Sequence, residues 1–249
     1  MIWTPRKIEC YKQASEYTSF HKKLSVLAEP YLNKEWSLAD IGCGPGLLSI
    51  WLAPLVASID AIDNDSVAID DLKTRLDDVT LTDRYTAEKI KPRLASIEDL
   101  EGESWDVVSL SFFGVSTDIL EVVMPLAKRR ALIYMHGRPD AEGPLASASN
   151  SEKFSAAEME SFLKQNNFAF KKSVIEMQFG QPFKGIDDIH GFLVDYEKQL
   201  ELQESDSDTK NRIERRVADI EERIIKTNRF DYPYYLPKSI NVVLFIIRT

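Results

Sequence analysis

The sequence predicts an α/β fold, in which strands and helices alternate along the chain. Near the amino terminus, the short apolar strand Leu38–Ile41 is followed by a glycine-rich turn and by the helical run Leu47–Ala53. A second strand, Ser58–Ile62, follows and leads into another helix, as in a parallel βαβ unit. Near the carboxyl terminus, Ile240–Ile247 is almost wholly apolar, which is typical of a strand buried on both faces of a sheet.

Composition and charge restrict the class of protein. The chain has 249 residues, 44% of them hydrophobic, which is enough for one α/β core. Its formal net charge of −9 makes nucleic acid an unlikely partner. Cys10 and Cys43 could form at most one bridge, so a disulfide framework and a zinc cluster are excluded. With so few cysteines, a reducing cytoplasm is the expected compartment. No stretch approaches the ~20 apolar residues of a membrane span, so we expect no membrane anchor.

Hydrophobic periodicity predicts the other elements. Apolar residues at steps of three and four predict one helix from Arg6 to about Ala28, ended by Glu29 and Pro30. Ser155 and Glu158 have the spacing of a capping box at the start of a helix. The remaining predicted elements are strands at Lys89–Leu94, Trp105–Phe112, Arg130–Met135 and Ser173–Phe179, helices at Val67–Leu76, Thr117–Ala127 and Ser155–Asn166, and a loop at Gly137–Ser151.

The last two strands are separated by 59 residues, Gly180–Lys238, far more than a hairpin loop needs. Two amphipathic helices are predicted there, the first carrying Ile189, Leu193, Tyr196 and Leu200 and the second carrying Ile213, Val217, Ile220 and Ile224. We interpret the insert as a two-helix cap. The predicted organisation is a single domain, 1–249, with a helical cap (1–36), a core (37–179), a helical insert (180–238) and a final strand (239–249).

The glycine turn indicates a nucleotide-binding site. Gly42, Gly44 and Gly46 allow the backbone to approach a ligand, and the helix that follows directs its free N–H groups toward it. A dinucleotide-binding turn has the spacing G-x-G-x-x-G, but Leu47 occupies the position of the third glycine. Asp40, two residues before the turn, suits a cation better than a pyrophosphate. The spacing therefore favours cationic S-adenosylmethionine (SAM) over a dinucleotide.

With the run Leu-Ala-Asp-Ile-Gly-Cys-Gly-Pro-Gly at 38–46, the sequence resembles the class I SAM-dependent methyltransferases. The resemblance covers roughly residues 37–179 and the last strand. It implies a Rossmann-like three-layer sandwich, a mostly parallel seven-stranded sheet with one antiparallel strand near the carboxyl terminus, and a helical lid. It also implies SAM as the cofactor.

The second signature of that family is an acidic residue at the end of the second strand, which corresponds to Asp63. The resemblance implies that its carboxylate accepts hydrogen bonds from both ribose hydroxyls. A purely structural alternative is that Asp63 caps the helix that follows. Cys43 is interpreted as a small packing residue rather than a nucleophile, because no histidine is near it in sequence.

The third and fourth signatures correspond to residues 95–100 and 105–112. Ser96 stands where the family commonly has Asp, which weakens the expected bond to the adenine amine, while Ile97 can supply apolar contact and an N–H group. Leu110 and Ser111 are expected beside the methionine part of the cofactor. The predicted cofactor-binding residues are Asp40, Gly42, Cys43, Gly44, Gly46, Asp63, Asn64, Ser96, Ile97, Leu110 and Ser111.

Methyl transfer needs in-line alignment and, for a hydroxyl or protonated amine acceptor, a general base. His136, at the end of the fifth strand, is the first candidate for a catalytic base and His21 the second, although either could have a structural role. The aromatic cluster Tyr232–Pro237 could cover an acceptor or simply fix the return of the insert to the sheet. Arg138 and Lys184 could recognise an acceptor carboxylate.

Three hypotheses for function follow, while a fourth, a nicotinamide-dependent oxidoreductase, is disfavoured by the glycine spacing. The leading one is a SAM-dependent methyltransferase with a small-molecule acceptor, since a lid suits a small acceptor. A non-catalytic SAM-binding sensor or scaffold is the first alternative. An RNA or protein methyltransferase is another, and a basic strip beside the pocket would distinguish it. The sequence does not name the acceptor, the methylated atom or the oligomeric state.

Overall fold

A computed structural model describes residues 2–78, 82–137, 154–201 and 209–249. The chain divides into two compact units, each with a core of its own. In the described residues, the first unit comprises 2–78, 82–137, 154–177 and 241–249, and the second comprises 178–201 and 209–240. Among these residues, no helix combines the length and the apolar character that crossing a bilayer requires.

The first unit is built from alternating strands and helices. Its strands are β1 (Ser37–Ile41), β2 (Ser58–Asp63), β3 (Ile90–Leu94), β4 (Trp105–Ser111), β5 (Ala127–His136), β6 (Ala169–Gln178) and β10 (Ser239–Arg248). Its α-helices are α1 (Pro5–Thr18), α2 (Phe20–Ala28), α3 (Leu47–Leu52), α4 (Ser66–Asp77), α5 (Arg84–Lys89), α6 (Thr117–Val123) and α7 (Ala156–Gln165). Short 3₁₀ turns occur at Glu29–Tyr31, Ala53–Leu55, Ile97–Leu100 and Met124–Leu126.

The strands form one seven-stranded sheet in the order β3-β2-β1-β4-β5-β10-β6. Strands β1 to β5 pair in parallel, and β10 runs antiparallel to β5. The prediction of a mostly parallel seven-stranded sheet with one antiparallel strand near the carboxyl terminus is confirmed. Strand order reverses between β1 and β4, and open α/β sheets bind ligands at the carboxyl ends of the strands at such a point.

Residues that alternate along a strand face opposite layers. Ile41, Leu110 and Ile133 belong to the core cluster that includes residues of α6 and α7. On the other face, the Tyr134 hydroxyl donates a 3.5 Å hydrogen bond to the carbonyl of Leu24 in α2. Helices therefore cover both faces, which makes the first unit a three-layer sandwich. As predicted from its apolar sequence, β10 is an interior strand, buried over most of its length.

The prediction of one continuous helix over 6–28 is wrong. Ser19 adopts a left-handed conformation with φ of 54°, ends α1 and precedes α2. Its N–H donates to carbonyls of the last turn of α1, which satisfies the end of that helix. The break allows His21 in α2 to contact Tyr11 and Ser15 in α1.

The second unit contains the two predicted helices, α8 (Ile186–Glu201) and α9 (Thr209–Glu222). It also contains a sheet that sequence analysis missed, formed by β7 (Gln181–Phe183), β8 (Ile225–Lys226) and β9 (Tyr234–Leu236) in the order β7-β9-β8. These strands have two or three residues, too few to show a period of two. Its core consists of Phe183, Ile189, Leu193, Ile220 and Leu236.

Candidate functional site

The glycine turn connects β1 to α3 at the carboxyl edge of the sheet. Gly42, Gly44 and Gly46 all have positive φ angles, of 71°, 54° and 68°. The N–H groups of Gly42 and Cys43 both donate to the carbonyl of Ile62, at 2.8 and 3.0 Å, which attaches the turn to the end of β2. Backbone bonds between the turn and β2 therefore hold the loop in one conformation.

Asp40 lies at the end of β1 and is fully buried. Its Oδ2 accepts a 2.5 Å hydrogen bond from the hydroxyl of Ser49 in α3. Its Oδ1 has no hydrogen-bond partner in the part of the chain that the structure describes. Burial raises the pKa of Asp40 from 3.8 to about 6, against the lowering effect of the Ser49 hydroxyl. A buried carboxylate oxygen without a donor is rare in folded proteins, and a cationic donor would satisfy it.

Ser109 in β4 lies directly across from Asp40 in the parallel register. It is fully buried, and its hydroxyl forms no hydrogen bond of standard geometry with any described residue. The hydroxyl still lies close enough to Asp40 to lower the pKa of that carboxyl. Two polar side chains with unused hydrogen-bonding capacity thus meet at the reversal of strand order.

Asp63 is the last residue of β2, and both of its oxygens accept backbone hydrogen bonds. Gly44 N donates to Oδ2 at 2.7 Å, and Asp65 N donates to Oδ1 at 2.9 Å. The alternative that Asp63 caps the next helix is wrong, because Asp65 is the N-cap of α4 and accepts from Val67 and Ala68. Each carboxylate oxygen can accept a second bond, so Asp63 retains the capacity to bind two hydroxyls. The neighbouring Asn64 is exposed.

The Cys43 thiol makes a weak 3.4 Å contact with the carbonyl of Gly44. Burial raises the pKa of the thiol well above its usual value, and the charges of Asp40 and Asp63 raise it further. The thiol is therefore protonated near neutral pH and is a poor nucleophile. This supports the interpretation of Cys43 as a packing residue.

The third signature forms the 3₁₀ turn after β3. Ser96 donates two hydrogen bonds to Oδ2 of Asp99, from its backbone N at 2.8 Å and from its hydroxyl at 2.9 Å. These bonds lower the pKa of Asp99, so the carboxylate is ionised near neutral pH. Ile97 packs partly buried against the core cluster. Sequence analysis noted a missing acid at position 96, and the fold brings the carboxylate of Asp99 next to it.

The carboxyl end of β4 carries Ser111 and two phenylalanines. Leu110 is fully buried in the core, so only its backbone is available to a ligand, whereas Ser111 is half-buried at the end of the strand. Phe112 has a positive φ of 52°, an uncommon conformation for a bulky residue. Its ring centroid lies 4.5 Å from that of His136. His136 is thereby placed, exposed, at the edge of the sheet where the glycine turn lies.

His21, the second candidate for a base, is almost fully buried. Its Nε2 lies 3.0 Å from the Tyr11 hydroxyl, and its Nδ1 lies 2.6 Å from the Ser15 hydroxyl. Burial, together with the charge of Arg75, lowers the pKa of His21 to about 3. An imidazole whose two nitrogens are both engaged inside the protein has a structural role.

Two aromatic residues at the glycine turn escaped sequence analysis. A β-carbon built at Gly44 would lie 2.8 Å from the ring of Trp3, and one built at Gly42 would collide with the ring of Phe113. Trp3 is fixed by a 2.9 Å hydrogen bond from its backbone N to Oδ2 of Asp65. Trp3 lies about 40 residues from the turn in sequence, so no local pattern could have shown this contact.

The other predicted residues belong to the second unit or lie outside the described residues. Tyr234 and Tyr235 are in β9 and pair with β7 and β8, which agrees with the structural interpretation of the aromatic cluster. Lys184 is exposed in the second unit. Arg138 and the loop 138–151 lie outside the described residues. A role of these residues in acceptor binding remains a prediction.

No family model matches the chain. A ribosomal protein L11 methyltransferase from Ruminiclostridium cellulolyticum is 31% identical to it over 117 residues. The match covers 45% of this chain and 35% of that protein, so the chain spans about a third of the length of this relative.

Solved structures resemble the chain over most of its length. The YcgJ protein from Bacillus subtilis has a TM-score of 0.55 and 13% identity, with 93% of this chain and 98% of that chain covered. Magnesium protoporphyrin IX methyltransferase from Synechocystis, solved with bound SAH (S-adenosylhomocysteine), has a TM-score of 0.53 and 12% identity, with 99% and 89% covered. Identities this low establish the fold alone. The chain therefore has the class I methyltransferase fold, as the motif at 38–46 implies.

Proposed function

We infer that the chain binds SAM and transfers its methyl group to a small-molecule acceptor. The observation that carries this inference is the buried Asp40, whose Oδ1 has no hydrogen-bond partner among the described residues. Asp40 lies beside a turn that contains three glycines with positive φ angles. A buried anion requires a cation or a donor. The methionine part of SAM carries an ammonium group, and the methyl group sits on a cationic sulfur.

The residues at the carboxyl edge have the chemistry to hold each part of this cofactor. The Asp40 carboxylate would accept a hydrogen bond from the ammonium group. Asp63 would accept from the ribose hydroxyls with the second acceptor site of each oxygen. Ile97 would contact the adenine ring, and the carboxylate of Asp99 would replace the missing acid at position 96. When bound, the cofactor supplies the methyl group.

His136 is the candidate base for the acceptor. It is exposed at the end of β5, and its ring is oriented by the contact with Phe112. A neutral imidazole can take the proton of a hydroxyl or of an ammonium acceptor when that group lies within hydrogen-bond reach. The small-molecule acceptor remains the expectation from sequence analysis, where it was drawn from the predicted helical lid.

Isothermal titration calorimetry tests the cofactor assignment. The folded protein is expected to bind SAM and SAH, and absence of binding at high micromolar ligand would contradict it. The variant Gly44→Val places a branched side chain against the Trp3 ring and should abolish binding.

A turnover assay separates the enzyme from a SAM-binding sensor. Incubation with SAM and a pool of metabolites should yield SAH together with one metabolite that has gained a methyl group, detected by mass spectrometry. Cofactor binding without SAH formation, with RNA and protein pools also inactive, would favour the sensor. Turnover only with RNA or protein would overturn the small-molecule acceptor.

A further inference from the structure

The edge of the seven-stranded sheet opposite the glycine turn carries a concentration of positive charge. It lies where the parallel strands begin and the antiparallel β10 ends. Cationic and aromatic side chains from five separate parts of the first unit meet there. We call this surface the basic-aromatic patch; its members are Tyr31, Trp36, Arg129, Arg130, Lys171 and Arg248.

Cations and rings alternate within the patch. The guanidinium groups of Arg129 and Arg130 lie 5.3 and 5.7 Å from the ring centroid of Trp36. Arg130 also lies 5.9 Å from the centroid of Tyr31, and Lys171 lies 5.3 Å from the same ring. Both rings are half-buried, so part of each remains accessible.

Most of the charge in the patch is unpaired. Arg129 forms a 2.8 Å ion pair with Asp106. Arg130, Lys171 and Arg248 have no ion pair with any residue that the structure describes, and the buried Nε of Arg130 has no hydrogen-bond partner there. Three cations without carboxylate partners are conspicuous in a chain with a net charge of −9.

Arg130 and Arg248 are directly opposite each other in the antiparallel pairing of β5 and β10. Like charges directly opposite each other destabilise a sheet. An anion bound between the two guanidinium groups would remove the repulsion. Guanidinium groups favour phosphate for this purpose, because their paired N–H donors match its oxygens.

We propose that the basic-aromatic patch binds single-stranded nucleic acid, with phosphates on Arg130, Lys171 and Arg248 and bases on Trp36 and Tyr31. Alternating cations and rings distinguish this ligand from an acidic protein, which would use the charge but not the rings. Aromatic rings offer faces on which successive bases stack whatever the base sequence. The patch lies at the opposite ends of the strands from the glycine turn, so it is a binding surface separate from the candidate cofactor site.

Fluorescence anisotropy with a 5′-labelled oligouridylate of about 15 nucleotides, and with its deoxythymidylate counterpart, tests the proposal. Three phosphate contacts predict a slope of about −2 for the logarithm of the association constant against that of the salt concentration. The double variant Lys171→Ala/Arg248→Ala should reduce the slope by about 1.4 and weaken binding at low salt about tenfold or more. Both side chains are exposed, so the variant should remain folded, which its thermal unfolding transition checks.

The matched control is Lys73→Ala/Arg84→Ala, which removes two exposed cations elsewhere in the same unit. It should bind the oligomers like the original protein. Equal binding of RNA and DNA supports recognition of phosphates and bases, and binding of RNA alone adds a contact to the 2′-hydroxyl. Absence of binding at low salt, equal weakening by the control pair, or equal affinity for poly-glutamate of the same charge would each overturn the proposal. SAM binding is measured separately and does not depend on the result.

Discussion

The hydroxyl of Ser49 donates a 2.5 Å hydrogen bond to Oδ2 of Asp40, while Oδ1 of the same buried carboxylate has no hydrogen-bond partner among the described residues. Burial of the charge outweighs the lowering effect of the Ser49 and Ser109 hydroxyls, so the pKa of Asp40 rises to about 6. The carboxylate is ionised near neutral pH, but burial destabilises this ionised form relative to the same group in water. A cationic ligand would remove that destabilisation.

Cofactor affinity should therefore depend on pH through Asp40. A cation binds the ionised carboxylate, and below a pKa of about 6 a proton competes for it. We expect the dissociation constant of SAM to rise about tenfold per pH unit below pH 6. Isothermal titration calorimetry at pH values above and below 6 measures this change in the dissociation constant. The variant Asp40→Asn should bind more weakly and show a flatter profile, and an unchanged dissociation constant of the original protein would contradict the assignment.

Asp40 should also make the folded protein less stable at neutral pH than at acid pH. The folded-state pKa of Asp40 is raised from 3.8 to about 6, so its contribution to stability is fully present below pH 3.8 and is lost as the pH rises through 6. Two pKa units correspond to about 3 kcal/mol. Asp40→Asn should thus raise the free energy of unfolding at pH 7.5 by up to about 3 kcal/mol and change it little near pH 4. Urea denaturation measures both values, and a loss of stability at pH 7.5 would contradict the prediction.

Gly44→Ala should damage the turn in two separable ways. Its φ of 54° penalises any side chain by about 1–2 kcal/mol, and the added β-carbon would lie 2.8 Å from the Trp3 ring. Gly102→Ala is the matched control, because Gly102 has a φ of 81° with nothing within 4 Å of the added carbon. Thermal unfolding should show a larger decrease in melting temperature for Gly44→Ala than for Gly102→Ala. Adding Trp3→Ala to the Gly44→Ala variant should recover only the part of that decrease that comes from the steric contact. Equal decreases in melting temperature for the two glycine variants would contradict a destabilising contact between the added β-carbon and Trp3.

Asp63→Asn should weaken cofactor binding without unfolding the first unit. The carboxylate accepts backbone hydrogen bonds from Gly44 and Asp65, and the amide can accept with only one of its two terminal atoms. Hydrogen bonds to charged groups contribute about 1.5–3 kcal/mol, so we expect a loss of affinity of about tenfold to a hundredfold. Calorimetry with SAH measures it. The exposed Asp70→Asn is the control for charge, and a similar loss in that variant would remove Asp63 from the site.

The order of the elements in the first unit follows from local patterns, and most of it was predicted. The interior position of β10 followed from its apolar run, and the capping box at Ser155 was confirmed at the start of α7. The break at Ser19 was missed, because a left-handed serine has no sequence signal comparable to glycine or proline. The sheet β7-β9-β8 was missed because its strands are too short for a period.

By itself, the sequence determined the sheet, the glycine turn and the acidic positions Asp40 and Asp63, since spacing along one strand–turn–helix unit places them at one edge. Only the tertiary structure decided what surrounds them. The unpartnered oxygen of Asp40 and the contact of Trp3 with Gly44 depend on how segments distant in sequence pack together, and the engagement of both nitrogens of His21 depends on how α2 packs against α1. The basic-aromatic patch likewise joins residues 31 to 248. Net charge could not reveal it, because charge summed over a chain carries no information on which side chains folding brings together.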